Sequence, residues 1–216
     1  MTHLDHLLAE AIELFNRTDD MAELEQVKAR YLGRHGQLTE LLKGLGKIPP
    51  DEQLEPGRVL ARMTDLGWGG RLRGLLAPES PDAECPPEIL RACVQVLAQW
   101  DWSQRPGAVV AVPSRSRPLF TETLARGLAE IGRLPYLGAL GLRRGGPSGN
   151  AGGNSTYRLA GVWDRFEAGG LDVRSGVPVL LVDDVIDSRW TITVAGRELR
   201  RAGAGGVLPF AAALRA

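Results

Sequence analysis

Lysine disappears from this 216-residue chain after Lys47, and every Lys or Arg position beyond it is arginine. That absence rules out a P-loop, because the GxxxxGK(S/T) motif cannot be written there without lysine. Cysteine is nearly absent too. Cys85 and Cys93 are too few for a disulfide scaffold, and their spacing is not that of a metal knuckle, so buried reduced thiols are expected. The three histidines, His3, His6 and His35, stand apart on polar helical stretches and read as surface residues. No apolar run approaches the ~20 residues of a membrane span. The opening MTHLDHLLAE has neither the basic start nor the apolar centre of a secretory leader. Formal net charge is zero, so no overall basic excess points to nucleic acid. A soluble cytoplasmic protein with no membrane partner is expected.

The zero hides an asymmetry. Residues 1–55 carry six Lys and Arg against eleven Asp and Glu, a balance of −5, and residues 56–216 carry 20 against 15, a balance of +5. Such a break suggests two segments of different origin joined in one chain. The expected organisation is a helical hairpin over 1–55, a Gly/Pro-rich connecting segment over 56–86 and an α/β domain over 87–216.

In the first segment, Leu4, Leu7, Leu8, Ala11, Leu14 and Phe15 recur at helical spacing. Asn16 to Asp20 supplies capping residues, and Met21, Leu24, Val27, Tyr31 and Leu32 mark a second helix. Leu38, Leu41, Leu42, Leu45 and Ile48 form a further stripe ahead of Pro49-Pro50. Helices this short bury too little surface alone and must pack on each other or on a partner.

The second segment alternates strand and helix, the pattern of a parallel sheet. Pro87 to about Trp100 reads as a helix, Ala108 to Val112 as a buried strand and Leu119 to Ile131 as a helix. Tyr136 to Leu142 reads as a strand, Asn154 to Phe166 as a short helical stretch, and Val177 to Val182 and Val207 to Ala213 as strands. The run Gly203-Ala204-Gly205-Gly206 follows a helix and precedes a strand, the wrong order for a dinucleotide fingerprint, and is a turn.

The most informative stretch is VLLVDDVIDSRWT, residues 179–191. A buried strand brings Asp183 and Asp184 towards its carboxyl end. The loop Asp187, Ser188, Arg189, Trp190, Thr191 then opens a helix, and backbone N–H groups and hydroxyls at such a start favour an anion. In the PSRSRP loop after Ala108–Val112, Arg115 and Arg117 flank Ser116, next to Ser114, and two guanidiniums there can fork around a diphosphate.

These residues resemble the ribose-phosphate signature of type I phosphoribosyltransferases. The resemblance implies that Asp183 and Asp184 face the ribose of phosphoribosyl pyrophosphate (PRPP), and that residues 187–191 hold its 5′-phosphate. It implies further that Ser114 to Arg117 hold pyrophosphate, and that Arg143 and Arg144 belong to a flexible hood. Mg²⁺ would come bound to PRPP, with no further metal held by protein side chains. The family usually has Gly where Arg189 stands; Arg adds charge but removes the freedom that Gly gives, which counts against turnover. No residue stands out as a catalytic base. An active member would displace pyrophosphate from C1 of the sugar.

More of the chain fits this pattern. GWGGRLR, VVAVPSRSRPL, the spacing Asn154, Ser155, Arg158, Val162, Trp163, Phe166, and LLVDDVIDSRWTITVAGRELRRAGA are similar to the C-terminal phosphoribosyltransferase-like domain of bacterial RecQ-type helicases, over about 57–216. ComF-type competence proteins are more distant relatives. The stretch LEQVKARYLGRHGQLTELLKGLGKIPPDEQ, within about 4–53, resembles the N-terminal arm of the bacterial phenylalanyl-tRNA synthetase α subunit, which contacts tRNA. Neither a helicase motor nor a synthetase catalytic domain is present, so the chain alone is neither helicase nor tRNA ligase. Three readings stay open: a PRPP- or nucleotide-binding domain in a DNA-repair context, a module binding DNA backbone, and a fused or truncated chain whose residues 1–55 bind tRNA or a synthetase subunit.

Overall fold

The computed structural model describes residues 10, 13–14, 17, 20–32, 36–37, 58–145, 161–187 and 189–215. Two compact units divide the chain, Met1–Gln53 and Leu54–Ala216. In the first, helix α1 spans Met21–Leu32. Asp20 stands before it, and its Oδ2 accepts the Glu23 N–H at 3.2 Å, which satisfies one of the unpaired donors of the first turn. Glu23 in the first turn and Arg30 in the last both complement the helix dipole. Val27 and Tyr31, one turn apart, are buried. The Tyr31 hydroxyl donates to Glu10 Oε1 at 2.8 Å, and Arg30 reaches the same oxygen at 3.4 Å. Glu10, Glu13, Leu14 and Arg17 are helical. Most of the expected Leu4–Phe15 helix, and the stripe from Leu38 to Ile48, lie outside the described residues.

The second unit is a mixed α/β fold around a five-stranded, wholly parallel sheet. Its strands are β1 Arg58–Arg62, β2 Ala108–Ala111, β3 Tyr136–Ala139, β6 Pro178–Ile186 and β7 Gly206–Leu214, ordered β1-β7-β6-β2-β3. A short antiparallel pair, β4 Gly141–Leu142 with β5 Phe166–Glu167, stands beside it. All four residues of β2 are buried, as a strand covered on both faces requires. Pro209 is tolerated within β7 because β1 pairs with β7 only from Phe210 onward, so the missing N–H falls where β7 has a single neighbour.

Helices α2 Trp68–Leu75, α3 Pro87–Ala98 and α4 Pro118–Gly132 cover one face. Ile89, Cys93, Phe120, Leu124 and Leu128 meet Val109, Leu180, Val182, Leu208 and Phe210 there. Each fully buried side chain of Leu or Phe size contributes about 1.5–3 kcal/mol to that contact. Helix α5 Trp190–Arg201 packs against β6 and β7 and covers the other face, with Ala195 and Leu199 fully buried. Trp100 and Trp102 stack on each other with centroids 4.4 Å apart, and the Trp102 indole N–H donates to the Leu97 carbonyl at 3.0 Å.

Three expectations differ from this arrangement. Residues 56–86 were expected to connect two domains, yet Arg58–Arg62 add a strand to the sheet and Trp68–Leu75 a helix beneath it. The span Tyr136–Leu142 is not one strand. It breaks at Leu140, after an irregular register between Val109 and Val110 and a positive φ of 112° at Gly138. The expected helical stretch Asn154–Phe166 has its first seven residues outside the described set, and Gly161–Asp164 forms a turn ahead of β5. The glycine run joins α5 to β7, as its place between helix and strand implied, with Gly203 in a turn and Gly206 opening β7; a Cβ on Gly205 would lie 2.0 Å from the Gly176 carbonyl oxygen. Among the described residues no helix is long and apolar enough to cross a membrane.

Candidate functional site

The order in which strands join the sheet reverses at β2. The connection through α4 leads from β2 to β3 on one side, whereas β6 lies on the other side of β2. A parallel sheet opens a crevice outside the carboxyl ends of its strands at such a reversal. Strand lengths enlarge it here. β2 pairs with β6 only as far as Ala111 opposite Val182, while β6 keeps pairing with β7 to Ile186 opposite Leu214. The last residues of β6 therefore run past β2, and Asp183 and Asp184 lie within the strand instead of beyond it.

A cavity of about 290 Å³ occupies this position. Asp183 and Asp184 line it, together with Ser114, Arg115, Ser116 and Arg117 after β2 and Asp187, Arg189 and Thr191 after β6. Trp190 begins α5 without lining the cavity, and Ser188 lies outside the described residues. Both loops expected to share a ligand thus meet at one edge of the sheet.

Alternation along β6 sends the two acids to opposite faces, and their surroundings differ accordingly. Asp184 Oδ2 accepts from Ser114 Oγ at 2.7 Å, and its Oδ1 accepts from the Val185 N–H at 2.6 Å. Asp183 is 4 % exposed, and its Oδ1 accepts the Asp184 N–H at 2.9 Å. Burial first, then the neighbouring Asp184 carboxylate, hold the Asp183 carboxyl well above the usual aspartate range; Arg165 opposes them weakly.

Arg165 is the functional candidate that the sequence pattern did not reveal. It lines the cavity from just before β5, near enough to Arg115 and Asp183 for each to perturb it. Burial, followed by Arg115, lowers its affinity for a proton. Two guanidiniums converging on one cavity repel each other, and a bound anion would relieve that repulsion. Arg165 lies in the span 154–166 that was read as helical, but it follows the turn Gly161–Asp164, so helical spacing did not mark it as facing the cavity. Arg215, just beyond β7, also lines the cavity, and its N–H bonds the Ile186 carbonyl at 2.8 Å.

Arg117 is used differently from the expected fork. It is 6 % exposed, and its guanidinium donates to the carbonyls of Ala77 and Ser116. The segment from Ala77 to Pro86 supplies that acceptor, so Arg115 and Arg117 do not act as a matched pair. Arg143 stands outside the cavity. Its guanidinium lies 3.6 Å from Asp164 and 3.6 Å from the buried Glu198 of α5, which also pairs with Arg201 at 2.9 Å. Arg144 is exposed and likewise absent from the cavity wall, and the rest of the expected hood, 146–160, lies outside the described residues.

Arg189 precedes α5 in the left-handed region, at φ 64° and ψ −14°. This is the conformation for which Gly is the low-strain residue. The backbone keeps that geometry although the side chain is arginine. Among the described residues no group of three or more His, Cys, Asp or Glu could hold a metal ion.

The family described as aminoacyl tRNA synthetase class II, N-terminal domain, matches residues 19–63. The phenylalanine–tRNA ligase α subunit of Nitrosospira multiformis is 86% identical over 57 residues, covering 26% of this chain and 17% of that protein. Its counterpart from Laribacter hongkongensis is 44% identical over 98 residues, 40% of this chain and 30% of that protein. The chain therefore spans under a third of the length of either relative. The first segment carries the synthetase likeness. The family match runs past Gln53, where the sequence resemblance was placed to end, and includes β1 of the α/β unit. Among solved structures, a hypothetical protein from Neisseria gonorrhoeae with bound ppGpp aligns with TM-score 0.37 and 19% identity, over 57% of this chain and 64% of that one. Adenine phosphoribosyltransferase from Leishmania donovani aligns with TM-score 0.39 and 14% identity, over 60% of this chain and 66% of that one.

Proposed function

We propose that the α/β unit is a phosphoribosyltransferase-like domain that binds a phosphorylated ribose, either PRPP or a nucleotide 5′-phosphate, and serves for binding more than for turnover. One observation carries this reading: the paired acids of β6 share a cavity with the arginine-bearing loop after β2 and with the start of α5. Asp183 and Asp184 would accept hydrogen bonds from sugar hydroxyls. Arg189, Thr191 and the first N–H groups of α5 would hold the 5′-phosphate, with Ser188 in the same loop. Arg115 and Arg165 would add positive charge on the opposite wall. Mg²⁺, where present, would come bound to phosphate oxygens of the ligand and neutralise part of their charge. Arg189 restrains the loop, which favours binding over transfer. The wider context in this proposal is DNA repair of the RecQ type, which rests on the sequence resemblance of about 57–216.

Calorimetry with PRPP plus Mg²⁺ and with AMP tests this reading, on the parent and on the double variant Asp183→Asn/Asp184→Asn. Saturable heat in the parent, lost in the variant, is expected. Absence of heat in the parent, with salt-sensitive binding to duplex DNA in its place, would make the unit a DNA-backbone module.

A second proposal concerns residues 1–55, on the 86% identity to a synthetase α subunit. We infer that this segment docks on a synthetase subunit or its tRNA. Its −5 balance disfavours unaided phosphate contact, which makes the protein subunit the favoured partner. Surface plasmon resonance against the immobilised subunit and against tRNA separates the two; binding to neither removes the proposal.

A further inference from the structure

Glu198 is a buried carboxylate that lies outside the cavity, two turns along α5 from Thr191 of the cavity wall. A carboxylate buried to 7 % exposure persists only with charged or hydrogen-bonded partners. One partner is local: Arg201, on the same helix, lies 2.9 Å from Oε1. The other comes from a different element. Arg143, which follows β4, lies 3.6 Å from Oε2. Arg143 also holds the chain ahead of β5. Its guanidinium lies 3.6 Å from Asp164 and donates to the Phe166 carbonyl at 3.4 Å, and its N–H donates to the Arg165 carbonyl at 2.9 Å. Beside this cluster, the Arg197 guanidinium stands 4.3 Å over the Trp163 ring.

The stretch from Val162 to Arg165 is therefore shared between two neighbours. Val162 and Arg165 line the cavity, whereas Trp163 and Asp164 meet Arg197 and Arg143. The β4–β5 pair contributes little hold of its own, since each strand has two residues and a hairpin of that length is not stable alone. We infer that Glu198 and Arg143 form a clasp between α5 and the β4–β5 arm that positions Arg165 in the cavity, so that ligand affinity depends on an ion pair the ligand does not touch. This rests on the phosphorylated-ribose reading and adds positioning residues to it. Without Arg143, the arm loses its charged tie to α5, and Arg165 loses the backbone neighbour that α5 fixes in place.

The test is calorimetry with ribose 5-phosphate on the parent, Arg143→Ala, Arg143→Lys, Arg165→Ala and the double variant Arg143→Ala/Arg165→Ala. Arg143 is the partner to change first, because its side chain is 40 % exposed and Glu198 keeps Arg201 without it. The nearly isosteric Glu198→Gln removes the charge from the other end and serves where Arg143→Ala folds poorly. Arg143→Ala and Glu198→Gln should each weaken binding about tenfold, and Arg143→Lys, which keeps the charge, should recover most of the loss. In the Arg165→Ala background, Arg143→Ala should cost less than about twofold more, because the clasp has nothing left to position. Parent-like binding in both Arg143→Ala and Glu198→Gln overturns the inference. So does a full further loss in the double variant, which would make Arg143 act independently of Arg165. Either result leaves the sugar-phosphate site standing. Absence of saturable heat in the parent removes the site and the clasp together.

Discussion

Ser114 Oγ and Asp184 Oδ2 meet at 2.7 Å, tying the loop after β2 to β6 across 70 positions of sequence. The same hydroxyl receives the Arg117 N–H, so one serine fixes both the acid and the loop. Ser114→Ala removes a donor from a buried carboxylate and an acceptor from a buried N–H. A loss of about 1–3 kcal/mol in unfolding free energy is expected, read from urea denaturation. Sugar-phosphate affinity should fall with it, because the loop loses its hold on Asp184. A midpoint equal to that of the parent would show that this contact fixes nothing.

The thiols should be inert in the native state. Burial, and then the Glu88 carboxylate, push Cys85 up to about 12, and burial drives Cys93 up as well. The thiolate is the reactive form. At pH 8 a thiol of pKa 12 has a thiolate fraction of about 10⁻⁴, against roughly one tenth for an ordinary thiol at 9.0. Ellman's reagent should therefore report no rapid thiol in the folded protein and two in denaturant. Rapid native labelling of Cys93 would mean that α3 opens from the sheet on the timescale of the assay.

Asp183 should make the protein more stable in mild acid than at neutrality. Its folded-state value lies above the ordinary 3.8, so the native state holds the proton more tightly than the unfolded chain does. The stabilisation is complete below 3.8 and is lost as pH rises through the raised folded value. Asp183→Asn keeps the acceptor for the Asp184 N–H but has no charge to bury. The variant should melt at a higher temperature than the parent at pH 7, with a gap that narrows as pH falls towards 4. A gap independent of pH would place the effect in packing and not in ionisation.

Much of the sheet was legible because buried parallel strands appear as apolar runs, and AVVA and PVLLV leave little else to form. The acid pair and the loop after it were legible for the same reason, since the end of an apolar run marks the sheet edge. β1 was not. RVLAR is short, lies at the edge and follows Pro56-Gly57, so it looks like a connector until β7 is there to pair with it. The roles of Arg117 and Arg165 were out of reach in another way. Which guanidinium faces the cavity depends on the Ala77 carbonyl and on Asp183, 40 residues before one and 18 after the other. Spacing cannot report contacts set by tertiary packing.

Arg189 offers the most direct test of how the loop works. A non-glycine residue at φ 64° carries a cost of about 1 kcal/mol from its Cβ, and Gly removes it. Against that, Gly raises the entropy of the unfolded chain by a comparable fraction of a kcal/mol. Arg189→Gly should thus leave melting temperature level or slightly raised, although a charged residue is lost from the cavity wall. Binding is the sharper readout. If the restrained backbone limits how closely the loop approaches phosphate, the variant should hold ribose 5-phosphate more tightly despite the missing charge. Weaker binding would show that the guanidinium itself grips the anion, and the arginine would then be an adaptation to the ligand and not an impediment.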